Sequence, residues 1–342
     1  MEYKIRIIIN SRDDRIDDYA LKHGTFYHQT AWSEIVKKVF NHDTYYFYAI
    51  DNKDKVCGLL PVVNLSSFIF GKFLVSVPYF NYGGVVADNN QIKSLLINCA
   101  IEKAKELDAD HIELRETIKL DNLSVREDKV NMILDLPESL DILGAQIGSK
   151  KRSQVKRPQK EGVVSLSGGF ELLDKFYDVF SENMRDLGTP VYSKLFFKEI
   201  LECFPDSTQI VLLNKDDNPI SAAFLIGFKD TLEIPWASTL KKYNSFSPNM
   251  LLYWEVLSYA INNKYKKFDF GRSSIDSGTY RFKKQWGAKP MQLYWHYWMK
   301  DGGDIPQLNP NNPKYKLVIN MWKRLPLLVA NFIGPRIVKN LP

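Results

Sequence analysis

Apolar and polar residues alternate in blocks that predict strands and helices in regular succession. Two apolar runs, 45–50 and 56–63, flank the polar stretch 51–55 and predict a β-hairpin. From 91 to 107 the apolar residues recur at helical spacing, so this segment should bury one stripe against a sheet. A short strand at 111–115 follows, which completes a mixed strand and helix pattern in the first half of the chain.

The second half of the chain repeats this order of elements. A strand and two helices come first and three strands follow. A helix that opens at Pro248 and Asn249 then leads to a strand at 267–270. Agreement of order and spacing without residue identity predicts two copies of one fold. We therefore expect an α/β protein with mixed sheets, in which two tandem domains pack around a cleft.

The expected boundaries divide the chain into three parts. Residues 1–137 form the first domain, and residues 138–300 form the second, which closes with a hairpin at 291–299. Residues 301–342 form a basic, amphipathic tail interrupted by prolines. We expect this tail either to lie on a membrane surface or another protein, or to pack on its own domain.

Composition fits this organisation. The chain has 342 residues, of which 45% are hydrophobic and 25% charged, as is typical of globular proteins. The formal net charge of +6 is moderate, so a tRNA, a phosphorylated sugar or an anionic membrane surface would each fit. The 3 cysteines lie far apart and predict no disulfide framework. We expect a cytoplasmic protein, with peripheral contact to the inner face of the membrane as an alternative.

Covalent and metal-dependent hydrolysis are not indicated. The sequence contains no GxSxG motif and no plausible Cys and His pair for nucleophilic catalysis. Its 5 histidines form no ligand cluster, so we expect no metal.

Polar side chains crowd the stretch 264–290. A strand at 267–270 should end at Gly271, and the residues after it are rich in hydrogen-bond donors, cations and aromatic rings. Open α/β sheets place ligands at the carboxyl ends of strands. This stretch therefore predicts a site for an anionic or carbonyl-bearing ligand.

Four motifs carry a family resemblance: GTPV at 188–191, SPNMLLYW at 247–254, FDFGRS at 268–273 and GTYRFKKQWGA at 278–288. They resemble the FemAB-like proteins, in particular the variant associated with exosortase and exopolysaccharide gene clusters. The resemblance implies tandem GNAT-type acyltransferase domains. Characterised members transfer an aminoacyl group from aminoacyl-tRNA to an amine of a peptidoglycan precursor. The long helical hairpin of those members has no counterpart in this sequence.

The resemblance selects candidate catalytic residues. The family's Phe-Lys pair falls on Phe282 and Lys283, which implies that Lys283 contacts the reacting carbonyl or its oxyanion. Glu233 lies within an apolar strand, where GNAT-type enzymes often keep a general base, and could accept the amine proton. The alternative for Lys283 is a surface position like that of Lys284.

Other residues are candidates for binding substrate. Each also has a structural alternative, such as a salt bridge for Arg272, core packing for the aromatic rings, helix capping for Asn249 and neutralisation of a helix end for Arg185. The candidates are Arg272, Tyr280, Phe282, Trp286, Arg185, Tyr192, Asn249, Tyr82 and Gly83.

We expect an N-acyltransferase that transfers an acyl or aminoacyl group directly to an amino group of a cell-envelope or exopolysaccharide precursor. The donor, aminoacyl-tRNA or acyl-CoA, is a co-substrate and no cofactor stays bound. The glycan acceptor is either small or lipid-linked. A glycine-rich phosphate loop is absent from KKYNSFSPN at 241–249, which disfavours acyl-CoA. The alternatives are an acyl-CoA-dependent N-acetyltransferase and a non-catalytic binding protein of a polysaccharide-assembly system.

Overall fold

The computed structural model describes residues 3–68, 70–305 and 313–341. Strands and helices alternate through the first part of the chain as β1 (Lys4–Ile9), α1 (Asp14–His23), α2 (Ala31–Phe40), β2 (Asp43–Ile50), β3 (Val56–Ser67), β4 (Gly71–Val75), β5 (Val86–Ala87), α3 (Asn90–Glu106), β6 (His111–Glu116) and β7 (Ser124–Arg126).

The same succession returns in the second part. Its elements are β8 (Lys129–Asp135), α4 (Leu140–Lys160), β9 (Val164–Gly168), α5 (Leu173–Leu187), α6 (Lys194–Cys203), β10 (Thr208–Lys215), β11 (Asn218–Phe228), β12 (Thr231–Thr239), α7 (Pro248–Asn262), β13 (Lys267–Ser274), α8 (Gly278–Lys284), β14 (Lys289–Gln292), β15 (Tyr294–Met299), α9 (Pro313–Trp322) and α10 (Leu327–Val338).

The strands form two mixed sheets with matching topology. The first sheet has the order β1-β2-β3-β4-β6-β15-β7, with β5 also paired to β3, and the second has the order β9-β10-β11-β12-β13-β8-β14. In each sheet the first four strands are antiparallel and the fifth is parallel to the fourth. This match confirms the repeat predicted from the order of elements.

The chain forms two compact units whose boundaries differ from the predicted ones at 137 and 300. The first unit holds Met1–Val130, Gln292–Gln307 and Lys339–Pro342, and the second holds Asn131–Met291 and Leu308–Val338. Strand β8 lies within the predicted first domain, 1–137, but joins the second sheet. Strand β15 joins the first sheet beside β6, with Tyr297 opposite Glu113.

The predicted hairpin at 291–299 is therefore wrong. Strands β14 and β15 follow each other in sequence but belong to different sheets. Alternating apolar residues specify that a segment is extended and which face it buries, but not which free strand edge it joins. Since the two halves share one topology, either sheet could accept these strands.

Each sheet is covered by helices whose apolar stripes face it. Helix α3 buries Ile92, Leu96, Ala100 and Ala104 against the first sheet, which agrees with the predicted stripe. In the second unit, Phe176 of α5 lies edge-on to Phe224 of β11, with ring centroids 5.6 Å apart. Within the described ranges, no helix is both long enough and apolar enough to cross a lipid bilayer.

The tail contributes α9 and α10, and the predicted segment at 306–312 and residue 342 lie outside the described residues. Helix α10 packs on α5, where Asn331 Nδ2 donates to Ser181 Oγ at 3.3 Å. One face of the tail thus rests on its own unit.

Candidate active site

The second sheet opens between β12 and β13. In the described part of the chain the two strands pair only over 231–233 and 267–269, although both continue beyond these pairs. On its other edge β12 shifts register, because Phe224 lies opposite Trp236 while Ile226 lies opposite Glu233. Two residues of β12 thus oppose one of β11, which is the geometry of a β-bulge. Such a bulge bends β12, and the backbone beyond the last pairs is open to a ligand.

Two buried carboxylates mark the last pair before this opening. Glu233 lies opposite Asp269, and the side chains of paired residues in parallel strands share a face of the sheet. Asp269 accepts hydrogen bonds from Asn131 Nδ2 at 2.6 Å and from the Gly271 amide at 2.7 Å. These contacts give Asp269 a structural role. The pairing of Glu233 with Asp269 places Glu233 beside the opening.

The strand does not end at Gly271, contrary to the prediction. Gly271 has a φ of +74°, a conformation in which a residue with Cβ is strained, and β13 continues through it to Ser274. This local twist turns two carbonyl groups, those of Gly271 and Arg272, toward helix α8. Lys283 Nζ donates to both carbonyl oxygens at 2.9 Å.

Lys283 is buried, with 8% of its surface exposed, whereas its neighbour Lys284 is exposed. Burial is the main cause that lowers the pKa of the Lys283 ammonium to about 8. The negative charges of Asp269 and Glu233 raise this pKa, and the positive charge of Arg272 lowers it. An ammonium group has three donors, and two of them are occupied by backbone carbonyls. The third has no acceptor among the described residues and could reach a carbonyl oxygen of a substrate.

Helix α8 places Lys283 at this point. This helix was not predicted from the sequence, although Ser277 is a typical N-cap residue. Its Oγ accepts a hydrogen bond from the Tyr280 amide at 3.2 Å. A cap fixes the first turn of the helix, and Lys283 follows one turn later.

The aromatic residues near Lys283 form a packed cluster. Tyr253 of α7 stacks on Phe270 at 5.6 Å, and the Phe282 ring lies edge-on to Tyr253 at 4.9 Å. Trp286 is 1% exposed, so its predicted substrate contact is wrong and the ring belongs to the core. Tyr280 is also mostly buried. The cluster packs α8 against α7 and β13.

Arg272 is exposed, and a guanidinium suits an anionic substrate group. The predicted contact of Arg272 with substrate stays a prediction. Its backbone has a definite role, because its carbonyl helps to hold Lys283.

A polar network lies where β12 meets α7. Ser221 Oγ donates to the Ser238 carbonyl at 2.9 Å and contacts Thr239 Oγ1 at 2.6 Å. Thr239 Oγ1 contacts Asn249 Oδ1 at 3.5 Å, and Asn183 Nδ2 donates to Ser238 Oγ at 3.1 Å. Asn249 is not the N-cap of α7, because Ser247 occupies that position. The network lines the far end of β12 with hydroxyl and amide groups.

Arg185 and Tyr192 were predicted to border an acceptor site. The Arg185 guanidinium donates to Asp186 Oδ1 at 2.7 Å and to the Leu325 carbonyl at 3.2 Å, so it ties α5 to the tail. The Tyr192 ring lies 6.3 Å from that of Trp236, which pairs with Phe224 next to the bulge of β12. The structure therefore places Tyr192 beside the Trp236 ring of β12 and Arg185 against the tail.

Tyr82 and Gly83 belong to the first unit. The Gly83 amide donates to the Arg115 carbonyl at 3.2 Å, and the Tyr82 ring lies edge-on to Tyr27 at 5.8 Å. Gly83 has a φ of +152°, which explains the glycine at this position. Contact of this loop with substrate stays a prediction.

Sequence reasoning missed a buried ionic group that fixes this loop. Arg115 Nε donates to Glu113 Oε1 at 2.8 Å, and its Nη1 donates to the carbonyls of Pro78 and Phe80, each at 2.5 Å. The Tyr297 hydroxyl donates to Glu113 Oε2 at 2.7 Å. Glu113 and Arg115 lie two apart on one strand, a spacing that places both on one face and could have revealed the pair.

Glu116 was also missed. Its Oε1 accepts from the Val85 amide at 2.7 Å, and a Cβ at Gly84 would lie 2.0 Å from the same oxygen. Burial raises the pKa of the Glu116 carboxyl to about 7. Glycine at position 84 is thus required by the close approach of Glu116.

Comparison with known proteins agrees with this geometry. Residues 149–284 match the model of the acetyltransferase (GNAT) domain family. The match covers β9 to α8, which includes Glu233, the opening between β12 and β13, and Lys283.

Three solved structures share the fold. FemX has a TM-score of 0.66 and 15% identity over 92% of this chain and 100% of its own. The C-terminal domain of a putative lysylphosphatidylglycerol synthetase from Agrobacterium fabrum has a TM-score of 0.58 and 12% identity over 83% of this chain and 90% of its own. A tandem GNAT protein from the clavulanic acid biosynthesis pathway has a TM-score of 0.53 and 10% identity over 89% of this chain and 100% of its own.

These structures confirm the tandem GNAT fold that the motifs predicted. Residues 149–284 therefore match the acetyltransferase (GNAT) domain family within a chain whose fold is similar to that of FemX, and the domain match supports an enzyme that transfers acyl groups.

Proposed function

We propose that the chain transfers an acyl or aminoacyl group to an amino group of a cell-envelope or exopolysaccharide precursor. The observation that carries this proposal is the buried ammonium of Lys283 at the opening between β12 and β13. A fixed cation with an available donor suits a carbonyl oxygen that becomes an oxyanion.

The chemistry needs no covalent enzyme intermediate. The acceptor amine attacks the donor carbonyl, Glu233 takes the amine proton, and Lys283 stabilises the negative charge on the carbonyl oxygen. The new bond joins the acyl carbon to nitrogen. The bond that breaks links the acyl carbon to the oxygen or sulfur of the donor, whose leaving group departs and is protonated from solvent.

Two features favour a precursor held in the cell envelope. The sequence motifs resemble the variant linked to exopolysaccharide gene clusters. The similar Agrobacterium fabrum protein is a putative lysylphosphatidylglycerol synthetase. The product in that name consists of an aminoacyl group, lysyl, attached to a lipid.

The test compares glycan and lipid-linked precursors, by mass spectrometry, from cells with and without the gene. The proposal predicts one acyl or aminoacyl mass that is missing when the gene is absent and returns with the gene. Identical precursor masses in both strains would exclude it.

Acyl-CoA is the donor in a second candidate function, and the match to an acetyltransferase domain family favours it. Calorimetric titration with CoA separates the two donors. Tight binding of CoA supports the N-acetyltransferase, and no binding leaves aminoacyl-tRNA as the donor.

A further inference from the structure

The two tail helices expose apolar side chains on the side that faces away from their own unit. Their exposed fractions range from 59% to 85%, at Leu317, Val318, Met321, Leu328 and Phe332. Leu328 and Phe332 lie four apart on α10, so they project from one face of the helix. Val329 and Ile333 extend the same face and are also exposed.

The opposite face of α10 is already packed. Ala330, Gly334 and Val338 recur every four residues and are buried. A Cβ at Gly334 would lie 2.9 Å from the Val191 amide nitrogen, so the backbone of α10 contacts this segment closely. The exposed apolar residues are therefore a second apolar face, separate from the one that holds the helix in place.

The tail also holds the net charge of the chain. Residues 306–342 contain 6 basic and no acidic residues, which leaves 40 basic and 40 acidic residues in the rest of the chain. The +6 formal charge is thus concentrated in about a tenth of the sequence. Such asymmetry creates a local positive potential that net charge alone would not reveal.

Basic groups border the exposed apolar face. Lys323 and Arg324 are exposed between α9 and α10. The Arg336 guanidinium lies over the Phe332 ring, 3.8 Å from its centroid. Apolar side chains bordered by cations are the pattern of helices that lie in the interface of an anionic bilayer.

We propose that this tail surface, formed by Leu328, Val329, Phe332 and Ile333 with Lys323 and Arg324, docks on the surface of a bilayer that contains anionic lipids. The apolar residues enter the boundary between headgroups and acyl chains, and the cations contact lipid phosphates. An interface with a protein has a polar rim, whereas the charged residues of the tail are all basic.

Docking would bring the candidate acceptor segment to the membrane. Arg185 donates to the Leu325 carbonyl, and a Cβ at Gly188 would lie 2.5 Å from Ile319 Cγ2 of α9. This step rests on the proposed function, because it takes 185–192 as the border of the acceptor site. The lipid docking itself is independent of the reaction.

Co-sedimentation of the full chain with vesicles tests the docking. The probes are vesicles of phosphatidylcholine alone and vesicles that also contain phosphatidylglycerol. We expect binding that requires phosphatidylglycerol and weakens as salt increases. Lys323→Gln with Arg324→Gln should lower the partition coefficient about 25-fold, at about fivefold for each basic residue. Leu328→Ser with Phe332→Ser should lower it at least tenfold.

Two matched variants serve as controls. Lys156→Gln with Arg157→Gln removes the same charge from an exposed Lys-Arg pair on α4, and Phe170→Ser removes an exposed aromatic ring outside the tail. Both controls should bind vesicles like the unchanged protein, and circular dichroism checks that every variant is folded.

Three results would overturn the docking proposal. The first is equal binding to both kinds of vesicle, and the second is an equal loss in the tail variants and their controls. The third is a protein that binds no vesicles but forms concentration-dependent dimers in ultracentrifugation. If Leu328→Ser with Phe332→Ser abolishes these dimers, the surface belongs to a contact with a second copy of the chain. A normal acyl mass in precursors from cells with the tail variants would leave docking intact and separate it from the reaction.

Discussion

Three properties of Lys283 suit it to contact a substrate carbonyl: its burial, its fixed contacts with the backbone and its lowered pKa. Two carbonyl oxygens orient its ammonium, and burial lowers the free energy cost of losing its proton. Because two N–H groups of the ammonium are held by these carbonyls, the direction of its third N–H group is also fixed. A residue of this kind can supply a localised positive charge without first displacing water.

The pH dependence of transfer follows from the pKa of Lys283. The charged form prevails below about 8, so the transfer rate should fall as pH rises through this value. Deprotonation of the acceptor amine acts in the opposite direction and produces the rising limb of the profile. Steady-state rates from pH 6 to 10 on the identified precursor measure both limbs. A rate that keeps rising above pH 9 would contradict a catalytic ammonium, whereas Lys284→Gln should leave the falling limb in place.

Glu116 predicts a pH-dependent stability. The pKa of its buried carboxyl is raised from 4.5 to about 7, so between these values the folded protein keeps a proton that the unfolded chain has lost. The free energy of unfolding therefore falls as pH rises through this window, by about 3 kcal/mol from this group. Glu116→Gln should remove this loss, because an amide can still accept from the Val85 amide but cannot ionise.

Urea denaturation at two pH values checks this stability prediction. Glu116→Gln should match the unchanged protein at pH 4.5 and exceed it by up to about 3 kcal/mol at pH 8. The same difference at both pH values would show that the substitution acts through packing instead of ionisation.

At the scale of elements, the short helix α8 connects local sequence to the reaction. Ser277 caps it, and the aromatic cluster of Tyr253, Phe270 and Phe282 supports it. The helix therefore transmits small backbone changes to Lys283.

Removal of the cap should separate activity from global stability. Ser277→Ala should cost about 1 kcal/mol of stability and reduce transfer several-fold, because Lys283 loses its fixed position. Ser139 caps α4 through the Ile142 amide at 3.3 Å and provides the control. Ser139→Ala should cost a similar stability, measured by thermal unfolding, with unchanged transfer. Equal loss of transfer in both variants would contradict a specific role for α8.

The sequence predicted most elements correctly where apolar periodicity was strong. Helix α3 is one example, because it buries a single apolar face along its length. Strands β2 and β3 are others, because they are long apolar runs that are buried on both faces. Helix α8 was missed because its seven residues are too few for a periodic signal and lie within a polar stretch. Trp286 was assigned to the site since sequence composition does not distinguish a ring that lines a cavity from one that fills the core.

At the scale of the whole molecule, the two sheets exchange strands along the chain. The segment before 137 supplies β8 to the second sheet, and the segment after 291 supplies β15 to the first. Local patterns could not predict this exchange, because strand pairing depends on the free edges of both sheets.

The exchange predicts which fragments fold. A fragment of residues 138–300 follows the boundaries expected from sequence but lacks β8, which lies between β13 and β14 in its sheet. It should show no cooperative thermal transition in circular dichroism. A fragment of residues 129–338 retains that strand and should unfold cooperatively. Cooperative unfolding of the shorter fragment would contradict the strand assignment.

The central claim concerns a single ammonium group, and its neighbour provides a matched control. Cells that lack the gene are supplied with the unchanged protein, Lys283→Met or Lys284→Met, and their glycan and lipid-linked precursors are compared by mass spectrometry. We expect the acyl mass to return with the unchanged protein and with Lys284→Met, and to fall at least a hundredfold with Lys283→Met, as for loss of one oxyanion donor (about 10²-fold). A full level of that mass with a folded Lys283→Met protein would contradict the account.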